Sequence, residues 1–313
     1  MIEPVVLVHG GAGDIPDERI QPKLDGVRRA AKAGYKALMA PGGNVLDAVV
    51  AAVHIMEDDG AFNAGHGSVL NTDGEVEMDA IIMEGKNLHT GAVGALKDVQ
   101  HAIDVARLVM EKTPHCLLVA DGAKRFANEM GVPDYPQENL ITSFAKDALS
   151  RHVKGNTTVS EIGWTGGTGT VGAVAIDENG HLAVAVSTGG TTGKMPGRVG
   201  DTALCGCGGY SDDRVGAVST TGHGESIIKL NLARDILARM EQGRQAQCAT
   251  AEGCDNLKEI LGFTAGAITL SNRGDVGVGF SSKRMSWAYK KGHEVHYGID
   301  PGQHMIDHDP KCS

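Results

Sequence analysis

Thr170 is the residue of this chain whose neighbours best suit nucleophilic chemistry. It follows Gly169 and precedes the run Val171–Ile176, where β-branched and small apolar residues predict a buried strand. A threonine hydroxyl attacks carbonyl groups poorly near pH 7 unless a base lies within hydrogen-bonding reach, and the α-amine of an N-terminal threonine can be that base. The pKa of such an amine, about 7.7–8.0, leaves it partly neutral at pH 7. Cleavage of the chain before Thr170 would therefore create a nucleophile together with its base.

The same stretch also has a purely structural interpretation. Threonine favours strands and glycine favours loops, and Gly-Thr pairs recur at Gly167-Thr168 and Gly190-Thr191. The spacing Gly167-x-Gly169-x-x-Gly172 matches the dinucleotide-binding pattern, but that pattern requires a strand before it and a helix after it. Here a loop precedes and a strand follows, so the match is not significant. A structural role for Thr170 stays open at this point.

Arg198 and Asp201 are a second pair with chemical potential. They lie three residues apart in the glycine-flanked run 197–201. A guanidinium binds a carboxylate with two parallel hydrogen bonds, and a carboxylate binds an ammonium group. The pair could therefore hold both α-groups of an amino acid, although a salt-bridged surface turn explains the same spacing.

The run 215–225 offers hydrogen-bond donors. Residues 215–219 predict a strand, and 220–225 connect it to a helix predicted over about 226–242. Threonine and glycine at such a corner present N–H groups that suit an oxyanion. The first predicted strand runs into a predicted turn at 9–13. The run His9-Gly10-Gly11 in this turn could supply such donors in an α/β-hydrolase, but that fold needs a Gly-x-Ser-x-Gly turn, which the sequence lacks.

The acidic, glycine-rich run 57–70 is the remaining dense loop. Tightly wound backbone carbonyls there could hold a hard cation while Asn63 reaches a neighbouring site, and a solvated acidic turn is the alternative. Six cysteines are scattered without a CxxC pair, and Cys205-x-Cys207 has no partner at zinc-ligand spacing. We assign no metal to the polar, exposed tail that contains His304, His308 and Asp309.

The elements that must position these residues follow from hydrophobic periodicity and turn signals. Asn44 is predicted to cap the second helix, and Asp79 is interpreted as a paired structural carboxylate within a strand. Between 131 and 169 the pattern weakens into a polar tail that ends at Thr170, where a cleavable connector would be needed. The predicted helices span about 19–39, 45–56, 102–111, 121–130, 144–153, 226–242 and 247–261. The predicted strands span about 5–8, 75–83, 171–176, 182–187, 215–219, 266–270 and 276–280, and 171–187 form a hairpin.

Composition narrows the class of protein. The 313 residues suffice for one large domain or two ordinary ones, and 41% are hydrophobic. The net charge of −10 without a basic cluster argues against nucleic acid as a partner, and no apolar run reaches membrane-spanning length. The N-terminal sequence lacks the features of a signal peptide, and the cysteines suggest reduced thiols, so we expect a cytoplasmic protein.

Together these motifs resemble the plant-type asparaginase/isoaspartyl peptidase family of N-terminal-nucleophile hydrolases, especially its animal asparaginase-like members. The resemblance extends over nearly the whole chain. It is carried by HGGAG at 9–13, FNAG at 62–65, GEVEMDA at 74–80, RLVMEKTPH at 107–115, GTVGAV at 169–174, STGG at 187–190, GRVGD at 197–201 and STTGHGE at 219–225.

The resemblance implies a fold and a maturation step. The fold would be a four-layer αββα sandwich of the α+β class, forming one domain over residues 1–313. The chain would cleave itself between Gly169 and Thr170 into an α fragment, 1–169, and a β fragment, 170–313. The fragments would stay together, and two such pairs would form a dimer. Gly167-Thr168 makes the approach to the cleavage point richer in glycine than expected for the family, which predicts less efficient cleavage.

The resemblance also implies roles for individual residues. Thr170 would be the nucleophile, Thr188 the hydroxyl beside it, and Thr221 with the Gly222 N–H the oxyanion hole. In the substrate site, Arg198 would hold the α-carboxylate, Asp201 and the Gly224 carbonyl would hold the α-ammonium, and Asn63 would line the site from the α fragment. No catalytic cofactor is implied. A structural sodium ion would be held by the backbone carbonyls of Met56, Glu57, Asp59, Phe62, Ala64 and His66.

The implied activity is hydrolysis of L-asparagine to aspartate and ammonia, and of β-aspartyl (isoaspartyl) dipeptides. Three alternatives stay open. A glycosylasparaginase-like hydrolase would share the chemistry but would need a secretory signal and disulfides. An endopeptidase relative would use the same nucleophile. A non-catalytic glycine-rich ligand-binding protein would keep every turn but show no cleavage.

Overall fold

Two β-sheets form the framework of the computed structural model, which describes residues 2–155 and 169–309. The strands are β1 (Val5–Gly13), β2 (Met78–Glu84), β3 (Thr90–Leu96), β4 (Leu117–Val119), β5 (Val171–Ile176), β6 (Leu182–Thr188), β7 (Gly209–Asp212), β8 (Gly216–Gly222), β9 (Ala265–Ser271), β10 (Val276–Phe280), β11 (Arg284–Lys291), β12 (Glu294–Gly298) and β13 (Met305–His308). Within these residues the larger sheet has nine strands in the order β13-β12-β11-β1-β5-β6-β2-β3-β4, and the smaller has four in the order β10-β9-β8-β7. All neighbours are antiparallel except β3 and β4.

Helices cover both sheets, so the fold is mixed α/β. They are α1 (Ile20–Leu38), α2 (Val45–Glu57), α3 (Ala102–Lys112), α4 (Ala120–Glu129), α5 (Gln137–Leu140), α6 (Ser143–Lys154), α7 (Gly224–Leu230), α8 (Leu232–Glu241) and α9 (Ala246–Leu261). Helices α1 to α4 contact the larger sheet, α8 and α9 contact the smaller one, and β1, β5 and β6 contact β8 of the other sheet. Among the described residues, no helix combines the length and apolar character needed to span a membrane.

Strand β5 lies in the middle of the larger sheet. It pairs with β1 from Val5↔Ile176 to His9↔Gly172, and with β6 from Ile176↔Leu182 to Val171↔Ser187. All six of its residues are buried, which explains its continuously apolar sequence. The predicted hairpin is confirmed. Thr170 therefore enters the sheet between two strands that fix its position from both sides.

Most predicted elements are confirmed within a few residues, including the cap of α2, where the Asn44 side chain accepts a hydrogen bond from the Asp47 N–H at 3.0 Å. Strand β2 begins at Met78, three residues later than predicted. Strands β3, β4, β7, β11, β12 and β13 were not predicted. The tail was predicted to be polar and exposed, and His304 and His308 are exposed. Asp309, however, accepts hydrogen bonds from Lys32 and Lys290, which attach the tail to the rest of the fold.

The predicted turn at 9–13 is wrong, because β1 continues to Gly13. The pairing with β11 shifts register between His9 and Ala12, which marks a bulge at Gly10-Gly11. Gly11 has φ +99°, a conformation that glycine adopts without strain. The two glycines thus keep the strand paired while its direction changes next to Thr170.

The predicted corner after residue 219 is also placed differently. Strand β8 runs on to Gly222, so Thr220 and Thr221 belong to the sheet. The single helix predicted over 226–242 is two helices, because Asn231 between α7 and α8 is left-handed, with φ 53°. Asparagine tolerates this conformation better than most residues do, and periodicity does not reveal it.

Asp79 bridges two segments from inside the sheet. Its side chain is fully buried and accepts hydrogen bonds from the backbone N–H groups of Ala95 and Gly200, each at 2.9 Å. The carboxylate is therefore satisfied, as expected for a structural role, although its partners are N–H groups. It anchors the loop that carries Arg198 and Asp201 to the larger sheet.

Replacing Asp79 tests this anchor. Asp79→Ala leaves two buried N–H groups without an acceptor, so we expect the free energy of unfolding to fall by about 2–4 kcal/mol in urea titrations. Asp79→Asn keeps an acceptor oxygen and should lose less. The exposed Asp73→Ala is the control and should change stability by less than about 0.5 kcal/mol. Equal stability of Asp79→Ala and the control would contradict the anchoring role.

Candidate active site

Thr170 and Thr188 form a hydroxyl pair at the adjacent ends of β5 and β6. The buried Thr170 Oγ1 donates to Thr188 Oγ1 at 3.2 Å. Thr188 Oγ1 also accepts from the Gly190 N–H at 3.0 Å. The pairing of Val171 with Ser187 brings the two threonines together. The predicted neighbours are thus adjacent, and a backbone donor fixes the second hydroxyl.

Gly169, before the nucleophile candidate, occupies a position with no room for a side chain. Its φ is +71°, and an added Cβ would lie 2.5 Å from Gly11 Cα and 3.1 Å from the Ala12 nitrogen. Both conditions require glycine there. The predicted glycine-rich approach at 164–168, including Gly167-Thr168, lies outside the described residues. The Gly169–Thr170 junction itself is pressed against the bulge of β1.

Thr221 reaches the same bulge from β8. Its fully buried Oγ1 accepts from the Ala12 N–H at 3.3 Å, and the backbone of Ala12 also borders Gly169. Gly222 ends β8 at an exposed position with φ +134°. Thr221 and the Gly169–Thr170 junction therefore both contact Ala12. The oxyanion hole at Thr221 and Gly222 stays a prediction.

His9 and Ser219 form a polar pair that the sequence did not identify. His9 Nε2 lies 2.7 Å from Ser219 Oγ, and both side chains are fully buried. Burial lowers the pKa of His9 to about 3, despite an opposing hydrogen bond to the Thr170 backbone. An added Cβ at Gly172 would lie 2.0 Å from Ser219 Oγ. A neutral imidazole thus supports the backbone at the start of β5.

Arg198, Asp201 and Gly224 are brought together as predicted. An added Cβ at Gly224 would lie 2.7 Å from Arg198 Nη2 and 2.8 Å from Asp201 Oδ1. An added Cβ at Gly190 would lie 3.3 Å from Arg198 Nη1. The Gly190 N–H also donates to Thr188. Gly190 therefore links the charged group, Arg198 and Asp201, to the hydroxyl pair.

Asp201 is a buried carboxyl group with one unpaired oxygen among the described residues. Its side chain is buried, and its Oδ2 has no hydrogen-bond partner within the described residues. Burial raises the pKa of the Asp201 carboxyl to about 7, although the Arg198 guanidinium opposes that rise. Buried acceptors are nearly always satisfied, so this oxygen is a candidate partner for a ligand donor.

Arg198 already holds a carboxylate, but from a residue that the sequence did not predict. Its Nε and Nη2 donate to Glu225 Oε1 at 3.0 and 2.9 Å. The Glu225 side chain is 48% exposed, whereas that of Arg198 is only 16% exposed. Glu225 therefore lies on the solvent side of the Arg198 guanidinium. The alternative of an Arg198–Asp201 surface turn does not describe this geometry.

Asn63 is next to the site, but its amide is used within the protein. Its Nδ2 donates to the Gly190 carbonyl at 2.7 Å, and its Oδ1 accepts from the Val69 N–H at 2.9 Å. The side chain is only 2% exposed. Asn63 thus ties its loop to the turn after Thr188, and direct contact with a substrate stays a prediction.

The predicted sodium loop is a compact turn between α2 and the site. The carbonyls of Met56, Glu57 and Asp59 accept from the N–H groups of Asp59, His66 and Phe62 at 3.4, 2.7 and 2.9 Å. The Met56 carbonyl also accepts from the Asp58 N–H, so these carbonyls are already engaged in the turn. The predicted ligands, which also include the carbonyls of Phe62, Ala64 and His66, are all of the oxygen type that hard cations take. Sodium itself stays a prediction.

Comparison with known proteins gives matches along most of the chain. Residues 2–299 match the family model described as Asparaginase. Proteins named isoaspartyl peptidase/L-asparaginase are similar: that of Xenopus laevis is 49% identical over 305 residues, covering 97% of this chain and 98% of the relative. The Homo sapiens protein is 48% identical over 308 residues, covering 97% and 99%, and the Danio rerio protein 47% over 304 residues, covering 97% of each.

The pKa of Asp201 predicts how binding of an amino acid depends on pH. At pH 6 the carboxyl is mostly neutral and at pH 8 mostly ionised, so the affinity for the ammonium group of L-aspartate should rise about ten-fold between them. Isothermal titration calorimetry at both pH values measures this change. In Asp201→Asn, binding should be weaker and nearly independent of pH. A full ten-fold change in that variant would assign the dependence to another group.

Proposed function

The chain belongs to the asparaginase family, and from this premise we propose that it is a threonine hydrolase that cleaves itself before Thr170. The mature protein then hydrolyses L-asparagine and β-aspartyl dipeptides. The observation that carries the proposal is the Thr170 hydroxyl, 3.2 Å from Thr188 at the buried start of β5. A threonine that only stabilised a strand would not need Gly169 in a left-handed conformation before it.

Cleavage switches the site on in this proposal. In the precursor, the nitrogen of Thr170 belongs to a peptide bond and cannot act as a base, whereas the freed α-amine can. The left-handed Gly169, pressed against Gly11, supports a junction held for attack by the Thr170 hydroxyl on the preceding carbonyl. That attack forms an ester between Gly169 and the Thr170 oxygen and breaks the peptide C–N bond, which frees the α-amine of Thr170. Water then hydrolyses the ester, giving the carboxylate of Gly169 and restoring the Thr170 hydroxyl.

The sheet order supports fragments that stay together. Strands β1 to β4 belong to 1–169 and β5 to β13 to 170–313. In the larger sheet β1 lies between β11 and β5, and β2 lies between β6 and β3. Backbone hydrogen bonds therefore join the fragments at three strand boundaries.

The contacts between the two sheets further support the proposed four-layer αββα sandwich, in one domain over 1–313. We also propose a dimer of fragment pairs.

Catalysis follows from the same groups. The free amine takes the proton of Thr170, whose oxygen attacks the substrate's β-carbonyl while Thr188 orients the hydroxyl. The Thr221 hydroxyl and the Gly222 N–H stabilise the oxyanion, and losing such a donor typically costs about 2.7–4 kcal/mol of barrier. The leaving amine takes up a proton and departs. Water then hydrolyses the aspartyl ester, releasing aspartate and regenerating Thr170.

Recognition uses the charged group. The substrate's α-carboxylate takes the place of Glu225 on Arg198, and its α-ammonium pairs with Asp201 Oδ2 and the Gly224 carbonyl. These steps need no cofactor, and the proposed sodium ion is structural. A cytoplasmic location is proposed from the five cysteines of the described chain, all of which are free.

Self-cleavage is tested first. Purified protein should yield fragments 1–169 and 170–313 on a denaturing gel, and N-terminal sequencing of the smaller fragment should begin at Thr170. Thr170→Ala should stay full length and inactive, because it has no nucleophile. Thr170→Ser keeps a hydroxyl and should cleave, and the exposed Thr72→Ala is the control. An uncleaved chain that hydrolyses asparagine steadily would contradict the mechanism.

Substrate linkage tests the recognition. The enzyme should hydrolyse β-Asp-Leu and refuse α-Asp-Leu, in which the α-carboxylate is consumed and Arg198 stays without its ligand. N-acetyl-β-Asp-Leu should also be refused, because its acylated amine cannot pair with Asp201. Sites built around such polar contacts discriminate by about 10⁴–10⁵. Initial rates at equal concentration measure this, and comparable rates on the first two substrates would refute the assignment of Arg198 and Asp201.

A further inference from the structure

A histidine–glutamate cluster lies outside the proposed active site. His54 and Glu57 are three residues apart in the last turn of α2, and His101 immediately precedes α3. One ligand atom from each of the three lies within 4.8 Å of the other two. We propose that His54, Glu57 and His101 bind a divalent transition metal ion of the zinc class, and we call this the His54–Glu57–His101 site.

The types and burial of these side chains fit such an ion. Two imidazole nitrogens and one carboxylate oxygen are a common ligand set for zinc, which leaves a fourth position for water. The Glu57 side chain is fully buried, whereas His54 and His101 are 33% and 17% exposed. The imidazole centroids lie 4.2 Å apart. The site thus has a rigid inner ligand and two outer ligands that an ion from solvent can reach.

Each ligand is also oriented by a further partner. His54 Nε2 lies 2.7 Å from Asp104 Oδ1, and His101 Nε2 lies 3.5 Å from Asp58 Oδ1. Glu57 Oε1 accepts from Ser187 Oγ at 2.6 Å, which leaves Oε2 towards His101. Carboxylates behind ligating histidines hold the rings in place and make the ligand nitrogen more basic. A simple ion pair between Glu57 and His101 would not explain why His54 is also held by a carboxylate, that of Asp104.

A hydrogen bond occupies the centre of the site, where His101 Nδ1 lies 3.0 Å from Glu57 Oε2. A metal ion bound there would replace this hydrogen bond with one bond to the imidazole nitrogen and one to the carboxylate oxygen. Asp58 and Asp104 add negative charge beside the two imidazoles. The site should therefore bind a divalent cation more tightly than two neutral imidazoles alone would.

The test is metal binding by the purified full-length protein. After treatment with a chelator, the protein is titrated with Co²⁺ at constant sodium chloride, and its visible absorption is recorded. We expect one Co²⁺ per chain with the bands of nitrogen and oxygen ligands, displaced by Zn²⁺. His54→Gln and His101→Gln each remove one ligand and should weaken binding at least about ten-fold. Zn²⁺ should raise the thermal midpoint of the wild type but not of either variant.

Three controls make the result decisive. His304→Gln removes an exposed member of another histidine pair, His296 and His304 at 2.8 Å, and should bind like the wild type. Circular dichroism checks folding, and if a ligand variant does not fold, Asp104→Asn should weaken binding instead. Thiolate charge-transfer absorption would place the ion on exposed cysteines. That absorption, unchanged binding in His54→Gln and His101→Gln, or no binding at millimolar Co²⁺ would each overturn the proposal.

Discussion

The position of β5 in the larger sheet is the constraint on which the rest of the site depends. The strand is hydrogen-bonded to β1 on one side and to β6 on the other, so Thr170 cannot shift without breaking two ladders. Gly169 lies against the β1 bulge with no space for a side chain. A one-residue slip would turn the threonine to the other face of the sheet. The Thr170 hydroxyl is therefore held where it donates to Thr188.

Arg198 and Asp201 are the proposed source of electrostatic selectivity beside the larger sheet. Arg198 is mostly buried and is bonded to Glu225, whereas Asp201 is buried without a described partner for its Oδ2. In the proposed mode of binding, a ligand without an α-ammonium leaves Asp201 Oδ2 without a partner, and a ligand without an α-carboxylate leaves Arg198 on Glu225. The proposed recognition therefore favours a free amino-acid head group over an internal residue of a peptide.

The sequence predicted the local features of this arrangement and missed the distant ones. The hairpin around Asp177, the cap at Asn44 and the adjacency of Arg198 and Asp201 depend on neighbouring residues, and each is present. The contact between His9 and Ser219 joins residues 210 positions apart, and the pairing of Arg198 with Glu225 spans 27. No spacing encodes such contacts. Strand β11 was missed because strand propensity depends on burial against partners that the sequence does not identify.

The most direct test of the account is to locate the covalent intermediate. Protein turning over L-asparagine is quenched rapidly in acid, and the masses of both fragments are measured, followed by peptide mapping. The account predicts that fragment 170–313 gains the mass of one aspartyl group, attached to the oxygen of its first residue, Thr170. An aspartyl group on any other residue, in either fragment, would contradict the assignment of the nucleophile.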